Sequence, residues 1–283
     1  MTARDDRVLP ITRVLAAVVV VILILAAWIL YLHPDDTARR FAWTIKPRMT
    51  ALWMGAGYGS AIYFYARMLG VRRWHRVAAG FIPTTIFTWL LLGATFLHWG
   101  KFHHGHLNFM LWLWIYLVTP ILVPAVWLAN RRTDPGTLEA RDTRVPRRVR
   151  AAMVAAGIGL CAISAWMYLF PAAAMARWPW TLTPLTARTI ASFIAVPGVT
   201  WLTMAADGRW SACRIPVQTT ALSIVLMAIG VARAWGDLDT GNAFTWIFVG
   251  GLGATLVGLA LLAAAMQRLS AANQARAQAA VPA

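Results

Sequence analysis

Charge is what this chain has least of. Of its 283 residues only 13% are Asp, Glu, Lys or Arg, where a soluble domain carries about a quarter. Acid is scarcer still, with 10 acidic residues against 26 basic ones and a net charge of +16. The two cysteines, Cys161 and Cys213, exclude a disulfide-built scaffold. One falls inside an apolar segment and the other in a short connection, so they are not expected to pair. No H-E-x-x-H, C-x-x-C, phosphate-binding loop or c-type haem sequence occurs. No Asp, Glu or Lys lies in the middle of an apolar segment, which argues against a proton-coupled pump, since coupling needs an ionisable group at depth.

What is abundant is apolar sequence. Hydrophobic residues make up 60% of the chain and the mean hydropathy is +0.61. They gather into blocks at Val14–Leu32, Met49–Leu69, Val77–Leu97, Leu107–Ala129, Ala151–Phe170, Thr186–Ala206, Thr219–Trp235 and Phe244–Met266. About 20 apolar residues cross a bilayer as a helix, and unpaired backbone is not tolerated in lipid. The expected fold is therefore an all-α integral membrane protein of about eight transmembrane helices. Lys and Arg set its orientation: with the N-terminus inside, 18 fall on the cytoplasmic side and 8 outside. Both termini are expected in the cytoplasm of a bacterial cell, with the chain in the plasma membrane. The basic residues flank spans and face lipid headgroups, so membrane lipids are the expected partners and nucleic acid is not.

A repeat underlies the eight spans. Ala3-Arg4-Asp5-Asp6-Arg7-Val8 returns as Ala140-Arg141-Asp142-Thr143-Arg144-Val145, and Tyr31-Leu32-His33-Pro34 as Tyr168-Leu169-Phe170-Pro171, both 137 residues later. After a one-residue deletion the offset is 136, pairing Arg73-Trp74 with Arg209-Trp210, Trp99-Gly100 with Trp235-Gly236, and Gly105 with Gly241. Two tandem four-helix repeats are expected, over residues 1–138 and 139–268, followed by a disordered cytoplasmic tail at 269–283. Four is even, so the copies share one orientation, related by a pseudo-twofold axis along the membrane normal.

The residues best suited to chemistry are histidines. His98, His103, His104 and His106 crowd one outer loop, with His33 on the same side. The equivalent loop of the second copy is acidic, with Asp237 and Asp239. Imidazole and carboxylate together suit a divalent metal, and an aspartate beside a histidine favours imidazolium. Those six loop residues are the candidate metal ligands; interfacial anchoring is the competing explanation. The repeated Trp43-Thr44-Ile45-Lys46-Pro47 and Trp180-Thr181-Leu182-Thr183-Pro184 read as headgroup-level tryptophans ahead of a capped helix. Gly55, Gly57 and Gly59 read as close helix packing, as do Gly250, Gly251 and Gly253. Pro83, Pro120, Pro124 and Pro197 fall inside spans, where they kink a helix or line a cavity.

The Trp-Thr-x-x-Pro loops, Arg73-Trp74-His75-Arg76, the His-Trp-Gly loop and Ala232-Arg233-Ala234-Trp235-Gly236 resemble a family of bacterial multi-pass membrane proteins. The resemblance spans nearly the whole chain and implies a membrane fold, with no activity or catalytic residue attached. Three functional readings follow. The first is a non-catalytic membrane component that binds protein partners or copies of itself. The second is a transporter or lipid-handling protein with a cavity between the repeats. The third is a metal-binding or enzymatic site at the outer face.

Overall fold

The computed structural model describes residues 4–139 and 142–279. Ala3, Ala140 and Arg141 of the sequence repeat, and 280–283 of the expected tail, lie outside the described residues. Among the described residues eight long helices follow one another: α1 Pro10–Ala27, α2 Arg48–Gly70, α3 Phe81–Leu97, α4 Leu107–Asn130, α5 Arg147–Leu169, α6 Pro184–Asp207, α7 Trp210–Arg233 and α8 Ala243–Ala279. A π turn, Trp28–Leu32, extends α1, and a short helix, His75–Ala78, leads into α3. The stretch expected as a tail is helical as far as Ala279, continuing α8 without a break. α7 starts nine residues before the expected Thr219, because the helix runs through Pro216. It thereby takes in Cys213, expected in a loop and found buried.

Among the described residues, seven helical stretches are long and apolar enough to cross a membrane: Pro10–Leu32, His75–Leu97, Leu107–Thr133, Arg147–Leu169, Pro184–Asp207, Trp210–Arg233 and Ala243–Asn273. The exception among the long helices is α2. It carries four glycines, three tyrosines and Ser60, and buries 13 of its 23 residues. A helix sheathed by other helices has no need of an apolar surface toward lipid, only of partners for its polar groups. Tyr58 supplies an instance, its hydroxyl 2.9 Å from that of Tyr116 in α4. At the other extreme, only 11% of the apolar stretch of α8 is covered by the rest of the chain, against 56% for α6.

The glycines of α2 are where its neighbours come closest. A Cβ at Gly55 would meet Tyr31 at 2.7 Å, one at Gly57 the Phe193 ring of α6 at 2.5 Å, and one at Gly59 Leu226 of α7 at 3.1 Å. Three helices thus press on one stretch of α2, as small-residue packing allows. The glycines of α8 differ from the sequence expectation: Gly250, Gly251 and Gly253 meet nothing within 4 Å.

Packing crosses between the two halves of the chain. α2 lies along α1 and α7, and α6 lies along α5 and α3. α3 pairs with α4, and α7 with α8. The contacts come in twos. Tyr31 donates its hydroxyl to the Leu226 carbonyl at 2.7 Å, and Tyr168 does the same to Leu90 at 2.8 Å. At one end, isolated β-bridges join Arg7 to Arg73 and Arg144 to Arg209, while Trp74 N donates to Asp6 O and Trp210 N to Thr143 O. At the other end, His103 N donates to Ala42 O and Asp239 N to Pro179 O.

The tryptophans of the Trp-Thr-x-x-Pro loops are buried within the protein rather than exposed on its surface. Trp43 and Trp180 are each 2% exposed. Trp43 packs among Phe41, Phe102 and Trp112, and Trp180 among Trp53, Trp178 and Phe248. Such rings bury a large apolar area in edge-to-face geometry, and they fill the end of the molecule beneath the histidine loop.

Candidate functional site

The histidine loop does not gather its imidazoles. Arg188 of α6 donates to His98 Nε2 at 2.8 Å. Arginine only donates, so this nitrogen is an unprotonated acceptor. Burial, then the charges of Arg188 and Lys101, push the His98 pKa below its ordinary value. Its environment therefore favours neutral imidazole, where a neighbouring aspartate was expected to favour the cation. His103 Nε2 lies 3.2 Å from Thr44 Oγ1, and His104 Nε2 donates to Trp99 O at 2.9 Å. His106 precedes α4, its ring 5.5 Å from that of His103.

The two acids of the opposite loop are committed to backbone. Asp239 Oδ1 accepts from Gly241 N at 3.0 Å. Asp237 Oδ2 accepts from Met49 N at 2.8 Å, capping α2 from the other half of the chain. α2 needs this, because Pro47 at its N-cap offers no side-chain acceptor. α6 provides its own cap, a reciprocal pair between Thr183 and Thr186. Among the described residues, no three His, Cys, Asp or Glu side chains are grouped to hold a metal ion. Asp237→Ala is expected to cost about 1 kcal/mol, the usual value of a helix N-cap. A thermal unfolding curve unchanged from wild type would show that Met49 N is satisfied by water instead.

The chain's scarce acid converges at the opposite end. Asp6, Asp134, Glu139, Asp142 and Asp207 are half of the ten acidic residues, and all five take part in one region of ionic contacts there. His75, 1% exposed, is its centre. His75 Nδ1 lies 2.5 Å from Asp6 Oδ2, and Nε2 lies 2.8 Å from Ser211 Oγ and 3.1 Å from Glu139 Oε1. Ser211 Oγ in turn donates to Asp142 Oδ2 at 2.5 Å. With that hydroxyl proton committed, Ser211 Oγ is left to accept from His75 Nε2. Arg76 clamps Glu139 through two bonds of 2.8 and 2.6 Å and holds its carboxyl below the usual range.

Local folding places these groups. Asp6 has φ +56°, a left-handed conformation that aspartate tolerates. It turns the N-terminal extension onto the start of the His75–Ala78 helix, where Asp6 Oδ1 also accepts from His75 N at 3.1 Å. Asp142 repeats the device on α7, accepting from Ser211 N at 2.9 Å. Carboxylates at helix N-termini are favoured by orphan N–H groups and by the helix dipole. Beside this cluster Arg209, 5% exposed, lies between Asp134 (2.8 and 2.7 Å) and Asp207 (2.7 and 2.6 Å). Burial opposes its charge, but the two carboxylates outweigh that and raise its pKa.

No protein-family model, curated protein or solved structure matches this chain. Its chemistry is therefore read from the residues themselves. Asp6, His75 and Ser211 have the spacing of an acid–base–nucleophile triad, and the Ser211 hydroxyl is also bonded to Asp142. Nucleophilic attack needs a hydroxyl proton that passes to histidine and free amides for the oxyanion. Here the Ser211 hydroxyl and its own amide are both spent on Asp142. The arrangement is a lock. It ties the N-terminal extension, the connection between the halves and the starts of α3 and α7 into one unit.

Sequence reasoning passed over His75, treating its surroundings as topology-setting basic loops. The available signal was acid within them: Asp5-Asp6 and Asp142 lie at matching places in two arginine-rich motifs. Carboxylates there run against the charge bias that fixes orientation and so imply specific partners.

Proposed function

We propose that this chain is an eight-span protein of the plasma membrane, with α2 as the eighth crossing and both termini in the cytoplasm. Two four-helix repeats of the same sense, residues 1–138 and 139–268, build it. The twinned contacts support the repeat, above all the Tyr31–Leu226 and Tyr168–Leu90 bonds, which exchange halves at offsets of 137 and 136. The excess of Lys and Arg at the His75 end supports the orientation.

In function the chain is a non-catalytic membrane component, a rigid platform for lipid and protein partners. The observation that carries this reading is the ionic lock around His75, whose one nucleophile is held by Asp142. Transport through a space between the halves has less support. At mid-depth the rings of Tyr58, Phe87, Tyr116 and Phe193 pack together with centroids 4.9–6.4 Å apart.

Single cysteines placed in a Cys161→Ala/Cys213→Ala background test the topology. Thr240→Cys and His104→Cys are expected to react with a membrane-impermeant maleimide in intact cells, and Gly136→Cys only after lysis. The reverse pattern would invert the orientation, and labelling of all three in intact cells would remove the assigned topology.

A further inference from the structure

The end that holds the lock also holds more arginine than the lock uses. Arg67 closes α2, Arg72 and Arg73 form the turn that follows, and Arg76 lies in the short helix before α3. The four line a cleft of about 650 Å³ floored by small residues of α2, Ala66 and Gly70. That volume falls within the range of ordinary ligand pockets.

The charges around it are unevenly answered. Glu139 is clamped by Arg76 and lies 3.8 Å from Arg73. Arg67 donates to the Tyr63 hydroxyl at 3.1 Å. Among the described residues no carboxylate pairs with Arg67 or Arg72. Like charges gathered at a concave surface raise the local concentration of anions there. The cleft also has an apolar margin, because Leu69 on the same turn is 37% exposed.

Comparison of the halves separates these arginines from the needs of the fold, a step that rests on the repeat proposed above. At the matching positions the second half has Thr203 for Arg67, Gly208 for Arg72 and Ala212 for Arg76. Only Arg73 has an arginine counterpart, Arg209, and that one is neutralised by Asp134 and Asp207. The second half makes the same β-bridge without the extra charge, although its turn passes through Gly208 at φ +73° where the first half has extended backbone at Val71. The fold thus accounts for Arg73 by the repeat and for Arg76 by its clamp on Glu139, and leaves Arg67 and Arg72 without such a role.

We propose that this cleft binds the phosphate of an anionic phospholipid headgroup. Guanidinium forks match phosphate oxygens two at a time, and basic pockets between membrane helices at the cytoplasmic side are suited to such headgroups. The glycerol and acyl chains leave over Gly70 and Leu69 into the bilayer, a route that a free anion would not use.

The test uses the full chain purified in an uncharged detergent, with thermal unfolding followed at constant ionic strength. Dioctanoyl phosphatidylglycerol is expected to raise the melting temperature saturably, while dioctanoyl phosphatidylcholine and inorganic phosphate do not. Arg72→Gln, an exposed side chain whose loss spares the fold, is expected to raise the half-saturating concentration about fivefold, and Arg67→Gln/Arg72→Gln about thirtyfold. Arg131→Gln/Arg132→Gln, outside the cleft, is expected to leave it within about twofold. Equal stabilisation by phosphatidylcholine overturns the proposal, as does equal stabilisation by inorganic phosphate, or an equal loss in the control pair. Binding in detergent is independent of which side the cleft faces, so a reversed maleimide pattern would leave this result standing.

Discussion

Arg209→Leu is expected to lower stability by about 3–5 kcal/mol, the cost of removing one partner from a buried ion pair. The guanidinium makes four short bonds to Asp134 and Asp207, and their side chains are 19% and 18% exposed. Leucine fills the volume but leaves two carboxylates partly desolvated and repelling each other. Adding Asp134→Asn and Asp207→Asn should return a large part of the loss, because a neutral amide is less costly to bury than a charge. Arg144→Leu, exposed on the same end, should change little. Melting curves in detergent supply the comparison; a loss from Arg209→Leu no larger than from Arg144→Leu would make this an ordinary screened surface pair.

The same region sets an acid limit. Burial pushes the Asp134 pKa up, but the Arg209 pair outweighs it and the carboxyl ends below its ordinary value. Glu139 is lowered mainly by its bonds to Arg76. With the folded pKa below the unfolded one, the unfolded chain binds more protons in the interval between them, so stability rises with pH there. The contribution is therefore complete above the ordinary values of 3.8 and 4.5. It drains away as pH falls through the lowered ones.

How far the sequence predicted all this depends on which physical signal each feature leaves. Helices facing lipid leave the loudest one, a run of apolar residues, and α1 and α8 were read from it directly. α2 was legible as a helix by length. Its central position was written instead in Gly55, Gly57 and Gly59, and a glycine states that something comes close without saying what. The glycines of α8 carry the same letters and touch nothing, so composition alone does not separate a packing face from a lipid face. The burial of Trp43 and Trp180 was not legible for a related reason. Tryptophan is stable both at a headgroup layer and in an aromatic core, and only the arrival of Phe102, Trp112, Trp53 and Phe248 from distant segments decides between them. The histidine loop attracted attention through density in sequence. The His75 cluster is built from residues 6, 75, 139, 142 and 211, and that assembly is a property of the fold.

His75→Ala is expected to be the second severe change, again about 3–5 kcal/mol, since it leaves Asp6 buried with its ring partner gone and Glu139 with Arg76 and the more distant Arg73. Ser211→Ala should cost less, about 1–3 kcal/mol, the penalty for leaving Asp142 Oδ2 without its hydroxyl donor while the backbone bond to Oδ1 persists. The order matters as much as the sizes. A lock fails in proportion to the buried charge each substitution strands, so histidine outranks serine. A hydrolytic triad would respond differently: losing either residue would abolish turnover at modest cost in stability, because active-site groups are held against the interest of the fold. A fluorophosphonate probe sharpens the contrast, since it modifies only serines whose proton is taken by a base. Ser211 should stay unmodified in the folded protein. Labelling there, abolished by His75→Ala, would turn the lock back into an active site.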